Sequence, residues 1–349
     1  MTLAPEKVAG RPALRYRGFS GVWRGRMVLV TVVGLGLLVL VAALNIGRGD
    51  FEIPVLAVLA VLAGGGDGAQ QFIVLEVRLP RSLTGLLVGA ALGLSGAITQ
   101  TVARNPLASP DILGVTSGAG AAAVLLIVVG GAAAGSAVGL PVAALLGGLV
   151  TAALVYGLAW RKGIDGYRLV LVGIGIGAVA EALTSWLLVS AKITDATRAT
   201  VWLTGSLNQR GWEHVVPVAV ALAVLVPAGL LLSFGLGTLQ LGDDTARGLG
   251  MHVDRSRAAL LLTAIGLCAV ATASAGPIGF VALVVPQVCL RLVGAARPPL
   301  FASAVYGALL LVAADLVTRT LLPVELPVGI ITSVIGAPYL IWMLTRGAR

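Results

Sequence analysis

Long apolar runs, separated by short polar or glycine-rich stretches, fill the chain from about residue 27 onwards. A helix needs about 20 mostly apolar residues to cross the hydrocarbon core of a bilayer. Ten runs meet this criterion, at 27–46, 82–103, 114–133, 138–160, 168–190, 214–236, 257–275, 279–294, 300–318 and 331–346. The pattern therefore predicts an all-α integral membrane protein with about ten transmembrane helices.

Two stretches interrupt this pattern. The run IPVLAVLAVLAGGG at 53–66 is too short to span a bilayer and ends in glycines, so it predicts an interfacial or re-entrant helix. The stretch RNPLASPDILGVTSGAGAAA at 104–123 contains two prolines, which block helix continuation. Asp111 can then cap a helix that begins near Ile112 by accepting its free amide hydrogens. This stretch is predicted to be a structured turn between two spans.

The composition agrees with a membrane protein and excludes an ordinary soluble domain. Hydrophobic residues make up 58% of the 349 residues and charged residues only 11%, with a mean hydropathy of +1.01. A soluble domain has roughly 25% charged residues. Cys268 and Cys289 both lie inside apolar runs, so we expect them to be small packing residues rather than a disulfide pair.

The net charge of +9 is distributed in a way that predicts orientation in the membrane. Cytoplasmic loops of membrane proteins are enriched in lysine and arginine. A cytoplasmic N-terminus puts 17 of the 24 basic residues inside and leaves seven outside: Arg48, Arg78, Arg81, Lys192, Arg198, Arg210 and Arg319. We therefore expect both termini to be cytoplasmic, residues 1–26 to form a basic tail rather than a cleaved signal peptide, and no nucleic acid to be bound.

Three blocks, in order along the chain, resemble one known family. They are RLPRSLTGLLVGAALGLSGAITQTVARNPLASPDILGVTSGAG (78–120), GPIGFVALVVPQ (276–287) and ADLVTRTLLPVELPVGIITSVIGAP (314–338). The chain is similar, from about residue 30 to its end, to the permeases of ABC importers for ferric siderophores, haem and cobalamin, the FecCD or cobalamin-importer-like family. The resemblance implies a type II ABC importer permease fold, with a ten-helix permease domain at 27–349.

The resemblance also implies partners. A permease of this family pairs with a second, identical or homologous permease in the lipid of the bacterial inner membrane, below an extracytoplasmic substrate-binding protein and above two ATPase subunits. The chain has no G-x-x-x-x-G-K-[ST] phosphate loop, so it is not expected to be an enzyme or to bind a cofactor. ATP and Mg are expected on the ATPase chains.

The charged segment FGLGTLQLGDDTARGLGMHVDRSR (234–257) is the candidate contact with the ATPase. On a helix, Leu241, Ala246 and Leu249 can face one side, and the charged residues the other. The resemblance implies two short coupling helices within 237–254. It assigns them Asp243, Asp244, Thr245, Ala246, Arg247, Gly248, Leu249 and Gly250, whereas the residue pattern alone also permits a solvated loop.

Arg78, Arg81 and Arg319 are the candidate docking residues for the binding protein. Arginine suits this role because its planar fork can engage a carboxylate through two hydrogen bonds. Arg78 and Arg319 match positions at which related permeases present arginine to acidic residues on the binding protein. The alternative is that these side chains extend to water or lipid headgroups at the interface.

The fifth span supplies the pathway candidates, because the corresponding span lines the translocation route in the family. Here it reads RLVLVGIGIGAVAEALTSWLLVS and contains Gly173 and Gly177, which close helix packing also explains. Glu181 is a stronger candidate, since a carboxylate in mid-span is costly unless it is neutral, paired or facing water. It could face the pathway or pair with the partner subunit. Asp315 is expected to make a structural hydrogen bond.

The substrate prediction is an iron–siderophore complex, because VWLTGSLNQRGW (201–212) resembles the corresponding turn of ferric-siderophore permeases. Cobalamin or haem import is the alternative within the family. An ion-coupled secondary transporter, with Glu181 and Asp315 as coupling carboxylates, and a structural or signalling subunit are the alternatives outside it. No metal site is predicted, since His214 and His252 fall on opposite sides of the membrane. Gln287 replaces the histidine of many relatives.

Overall fold

The computed structural model describes residues 13–16, 19–22, 25–49, 51–131, 138–160, 166–321 and 324–346. Two short strands, β1 (Ala13–Tyr16) and β2 (Phe19–Val22), pair antiparallel with Ala13 opposite Val22. They lie within the predicted basic tail, most of which falls outside the described residues. Everything else in the described chain is helix or connection.

The helices follow one another with short connections. They are α1 (Gly25–Gly47), α2 (Val55–Leu62), α3 (Gly68–Gln71), α4 (Leu79–Ala103), α5 (Val115–Val129), α6 (Gly139–Ala159), α7 (Gly166–Ser190), α8 (Ile193–Leu203), α9 (Trp212–Leu239), α10 (Asp243–Gly248), α11 (Val253–Ala275), α12 (Val281–Val293), α13 (Leu300–Thr320) and α14 (Val328–Arg346). A π-helical segment, Phe72–Arg78, joins α3 to α4, so that Gly68–Ala103 is one continuous helix.

The predicted all-α membrane architecture is confirmed. Within the described ranges, eight helices are long and apolar enough to cross a membrane: α1, Gly68–Ala103, α6, α7, α9, α11, α13 and α14. The other two predicted spans correspond to shorter apolar helices, α5 and α12. Each of the ten predicted runs therefore contains a helix, while the side of the membrane on which the termini lie stays a prediction.

Helix α4 is the centre of the bundle and packs against α9, α11, α12 and α13. Its glycines allow this close contact. A Cβ atom on Gly93 would lie 2.1 Å from the carbonyl oxygen of Ser303, and one on Gly96 would lie 1.8 Å from that of Ala282. Small residues at such positions let helix backbones approach each other within a membrane. Any larger side chain here would push α4 away from α12 and α13.

Residues 53–66 contain only the eight-residue helix α2, in agreement with the prediction that this run does not span the bilayer. Val58 and Val61 are buried against Ile46 and Val74, which belong to the end of α1 and to the π-helical segment. Leu56 is exposed on the opposite face of α2. The short helix thus covers the junction between α1 and the start of α4.

The segment between α4 and α5 is irregular but partly buried. Helix α5 begins at Val115 rather than near Ile112, and its N-cap is Gly114, whose φ of 75° favours glycine. The prediction that Asp111 caps a helix beginning near Ile112 is wrong, because the N-cap is Gly114; the Asp111 carboxylate instead interacts with the side chain of Thr116 in the first turn of α5, and its Oδ1 is buried without a hydrogen-bond partner. The segment instead packs on α7, where a Cβ atom on Gly173 would lie 2.6 Å from the Ile112 carbonyl oxygen.

Candidate functional site

An arginine at the first turn of α4 forms the centre of an ion-pair network. Arg81 donates hydrogen bonds from Nη2 and Nε to Oδ1 of Asp315, at 2.7 and 3.1 Å, and its Nη1 lies 2.7 Å from Oε1 of Glu325. The Asp315 side chain is only 2% exposed, whereas that of Glu325 is 41% exposed. Asn45 donates a further bond to Oδ2 of Asp315. This buried carboxylate therefore has the structural role expected for it, joining α4, α13 and α1.

The other two docking candidates, Arg78 and Arg319, bind the end of α1. Arg78 is 7% exposed and donates to the carbonyl oxygens of Ile46 and Gly47, at 2.9 and 3.1 Å. Arg319 donates to the carbonyl oxygen of Asn45 at 2.6 Å. The last four carbonyls of a helix have no partner within it, and basic side chains can satisfy them. These arginines thus have a structural role in this chain, and their docking role stays a prediction.

A cavity of about 510 Å³ lies beside the Arg81 network. The connection between α8 and α9 forms one wall, with Ser206, Leu207 and Arg210, and the residues before α14 form another. Arg81, Arg198, Trp202, Asp315 and Glu325 also line it. This cavity lies at the end of the bundle at which α4 begins. We call this end of the bundle the Arg81 end.

The opposite end of α4 carries a second ionic network, built on the segment predicted to couple to an ATPase. Asp243, the first residue of α10, accepts hydrogen bonds from Nη2 of Arg104 at 2.5 Å and from Nη2 of Arg257 at 2.9 Å. Burial alone would raise the pKa of Asp243, but the hydrogen bonds and charges of the two arginines hold it below its usual value. Asp243 therefore joins α10 to the end of α4 and the start of α11.

The remaining coupling candidates divide into a buried and an exposed set. Ala246 is fully buried, whereas Asp244, Thr245, Arg247, Gly248, Leu249 and Gly250 are exposed. The predicted helix faces were wrong, because Leu241 and Leu249 point to the surface while the charged Asp243 points inward to its arginines. The described residues also contain one short helix here, α10, where the resemblance implied two.

A pair of glutamines lies inside the bundle near this second network. Nε2 of Gln287 donates to Oε1 of Gln100 at 2.7 Å, and Nε2 of Gln100 donates to the carbonyl oxygen of Leu283 at 2.9 Å. Both side chains also line a cavity of about 430 Å³ with Arg104 and Asn105. The side chain of Gln287, for which the resemblance predicted a histidine, thus has a hydrogen-bond partner on α4.

Comparison with known proteins identifies the architecture. The model of the FecCD transport family matches residues 37–346. The chain belongs to the FecCD transport family. The ferric enterobactin transport system permease protein FepG of Escherichia coli (strain K12) is 41% identical over 330 residues, covering 94% of this chain and 99% of the relative. The probable siderophore transport system permease protein YfhA of Bacillus subtilis (strain 168) is 41% identical over 325 residues, covering 91% and 94%.

A solved structure confirms the permease fold. A metal-chelate type ABC transporter in an inward-facing conformation is 31% identical, with a TM-score of 0.80, and the match covers 91% of this chain and 99% of that one. This FecCD-family chain is therefore a multi-pass membrane permease, as predicted, and its resemblance to such permeases is confirmed over nearly its whole length.

The three residues predicted to line the pathway, Gly173, Gly177 and Glu181, lie on α7. Gly173 is buried against the segment before α5, and Gly177 lies close to Gly114 and Ser117. Glu181, one further turn along α7, is exposed, and Oγ of Ser117 donates to its Oε1 at 3.4 Å. The two glycines thus have a packing role in the structure, while the pathway role of all three residues stays a prediction.

Among the described residues no group of three or more histidine, cysteine or acidic side chains is close enough to hold a metal ion. Sequence reasoning missed Arg104, Arg257 and Glu325 as members of the two networks. A signal for the first two was present, because each lies at the polar end of a predicted span on the same side as Asp243. Glu325 gave no such signal, since its contact with Arg81 depends on how the segment before α14 folds back.

Proposed function

We propose that this FecCD-family chain is the permease subunit of an ABC importer that moves an iron–siderophore complex from a binding protein into the cytoplasm of a bacterium. The observation that carries the proposal is the full-length similarity to a ferric enterobactin permease. Two ATPase subunits, which bind ATP and Mg, act at the α10 end, and an extracytoplasmic binding protein acts at the Arg81 end. A second permease completes the pathway in the cytoplasmic membrane, in which both termini face inward.

The exposed residues of α10 supply the contact with the ATPase. Asp244, Arg247 and Leu249 point away from the bundle, so they are available to a partner surface, while the buried Ala246 seats the helix on its own chain. Arg247 lies 3.7 Å from Asp244 and 3.8 Å from Asp254, both exposed ion pairs that a partner can exchange at low cost. Movement of the ATPase would thus reach α10 directly.

From α10, the force passes to α4 and α11 through Asp243 and its two arginines. Helix α4 has 25 residues and so runs about 37 Å, which takes it to the Arg81 network at the other end. Because glycine contacts hold α4 tightly against α12 and α13, it is suited to move with them as one body. This arrangement connects the ATPase contact to the side at which the binding protein delivers its cargo.

The cargo passes beside α7 in this proposal, between this chain and the second permease. Glu181 is an exposed carboxylate in the middle of α7, and Gly173 and Gly177 hold α7 on the segment before α5. Many large apolar side chains of α7, including Ile174, Val179 and Trp186, are exposed in the single chain. That exposure fits a helix that is covered by lipid or by the second permease.

Reconstitution tests the proposal. The permease pair, the ATPase and the binding protein are placed in vesicles, and uptake of ⁵⁵Fe as a tris-catecholate chelate is measured with ATP inside. We expect uptake to require ATP, the binding protein and a catalytically active ATPase. The matched control is the same assembly with an ATPase that cannot hydrolyse ATP. Uptake that follows an ion gradient without the ATPase would instead support a secondary transporter.

A further inference from the structure

Arg210, in the connection between α8 and α9, is a largely buried cation with no carboxylate at ion-pair distance among the described residues. Its Nε donates to the carbonyl oxygen of Ser206 at 3.3 Å, and its Nη1 lies 2.9 Å from Nε2 of His214. Burial lowers the pKa of Arg210, and the charge of Glu213 opposes this only in part. Buried charges in proteins are normally paired, so this guanidinium is short of an anion.

The histidine beside Arg210 does not supply that anion. Because arginine can only donate, Nε2 of His214 must accept, and the imidazole is therefore neutral with its proton on Nδ1. Nδ1 lies 3.1 Å from Oε1 of Glu213, and the negative charge of that carboxylate favours a proton on Nδ1. Glu213 and His214 thus orient the guanidinium of Arg210 but leave its positive charge uncompensated at short range.

The wall of the cavity that Arg210 lines also contains Arg81, Arg198 and two carboxylates, Asp315 and Glu325. Both carboxylates are bonded to Arg81, and neither is at ion-pair distance from Arg210. Trp202 and Leu207 contribute apolar surface. The volume of about 510 Å³ lies within the range of small-molecule pockets and is much larger than an acidic side chain requires.

We propose that this cavity binds an anionic oxygen group of the iron chelate, a catecholate or a carboxylate, with Arg210 as the binding residue. This inference rests on the proposed function and narrows its substrate class. In tris-catecholate and citrate chelates the ligands carry more negative charge than iron(III) neutralises, whereas three hydroxamates just balance it. The cavity therefore favours anionic chelates over neutral ones, and the planar guanidinium suits two oxygens on one ligand.

The test is a titration of the purified transporter, permeases and ATPases together in nanodiscs, with a gallium(III) tris-catecholate and with a neutral gallium(III) tris-hydroxamate. We expect the tris-catecholate to bind more tightly, and Arg210→Gln to weaken its binding at least about tenfold, as for loss of a charged hydrogen bond. Arg48→Gln is the matched control, because Arg48 is an exposed arginine that pairs with Glu52 outside the cavity. Unchanged tris-catecholate binding in Arg210→Gln would overturn the proposal.

Three further measurements complete the test: a second cavity variant, a docking assay and an uptake assay. Arg198 is an exposed residue of the cavity wall, so Arg198→Gln should also weaken tris-catecholate binding. This variant replaces Arg210→Gln in the titration if Arg210→Gln does not assemble with its partners. Docking of the empty binding protein should be unchanged in both variants. Weakened docking would show that an acidic side chain of that protein is the anion, and the proposal would fail. ATP-driven uptake by the wild type tests the proposed function separately. If the wild type takes up anionic and neutral chelates equally well, the proposed function stands and only the preference for anionic chelates is rejected.

Discussion

Arg104 and Asp243 join the end of α4 to the coupling helix α10, with Nη2 of the arginine 2.5 Å from Oδ1 of the aspartate. The same carboxylate is bonded by the buried Arg257 of α11. Asp243 was predicted to touch the ATPase with its neighbours, but its side chain is directed into its own chain. We therefore expect Asp243 to contribute to coupling by holding α10 to α4 and α11, and not by contacting the ATPase.

Replacing Asp243 with asparagine tests this division of roles. The variant leaves Arg104 and Arg257 without a counter-charge, so we expect a loss of about 1–3 kcal/mol in stability, the usual cost of an unsatisfied buried partner. ATPase association should persist, while uptake per ATP hydrolysed should fall severalfold because α10 is no longer held to α4. Asp244→Asn is the control, since Asp244 is exposed. A normal coupling ratio in Asp243→Asn would contradict the mechanical role.

The same carboxylate predicts a pH dependence. The pKa of Asp243 is lower in the folded protein than in the unfolded chain, so its stabilising contribution is complete above the unfolded value of about 3.9. This contribution is lost as the pH falls through the lower, folded pKa. We expect the thermal midpoint of the wild type to fall more steeply below about pH 4 than that of Asp243→Asn. Parallel midpoint curves for the two proteins would show that Asp243 does not contribute in this way.

The exposed face of α10 gives a different prediction. Arg247→Glu reverses a charge on the surface offered to the ATPase but does not touch Asp243 or its arginines. We expect ATPase association to weaken about tenfold, as for a moderate interface residue, with unchanged thermal stability of the permease. Association is measured by copurification and titration in nanodiscs. Arg48→Glu, a charge reversal remote from α10, serves as the control, and equal association in both variants would place the ATPase elsewhere.

The Arg81–Asp315 pair can be examined by a double-mutant cycle. Arg81→Ala leaves the buried Asp315 carboxylate with only one nearby cation, Arg319, whose Nε lies 3.5 Å from Oδ2, so we expect a loss of about 3–5 kcal/mol in unfolding free energy. Adding Asp315→Asn should recover much of that loss, because the uncompensated charge is then removed. Thermal unfolding of the four proteins measures the coupling. Additive losses would mean that the two side chains stabilise the bundle independently.

The sequence was sufficient for the helices but not for the directions of their polar side chains. Each of the ten apolar runs contains a helix because bilayer thickness fixes the length of a span. Which way Asp243 points depends on Arg104 and Arg257, which lie 139 and 14 residues away along the chain. Arg78 likewise turns inward because the carbonyls at the end of α1 lie beside it. Such partners become neighbours only when the helices pack.

Glu181 is the remaining polar candidate on α7. Its carboxylate is exposed on the single chain, and its hydrogen bond from Ser117 is long, at 3.4 Å. Glutamine preserves size and the ability to accept that bond while removing the charge. If Glu181 lines the pathway, Glu181→Gln should change the uptake rate severalfold and leave assembly with the ATPase unchanged. If it serves only to hold α7 against α5, Glu181→Gln should transport normally and Glu181→Leu should impair assembly.

Cysteine labelling gives an independent measure of whether Glu181 meets water. Cys268 and Cys289 are buried, so a water-soluble thiol reagent should label the native chain little, and both can be replaced to remove any background. We expect Glu181→Cys to be labelled in at least one nucleotide state and protected when the loaded binding protein is added. Val179→Cys, on a neighbouring exposed position of α7, reports whether this part of the helix faces water or lipid in general. Protection of residue 181 in every state would exclude it from the pathway, because a residue lining a passage for a hydrated chelate must contact water while that passage is open.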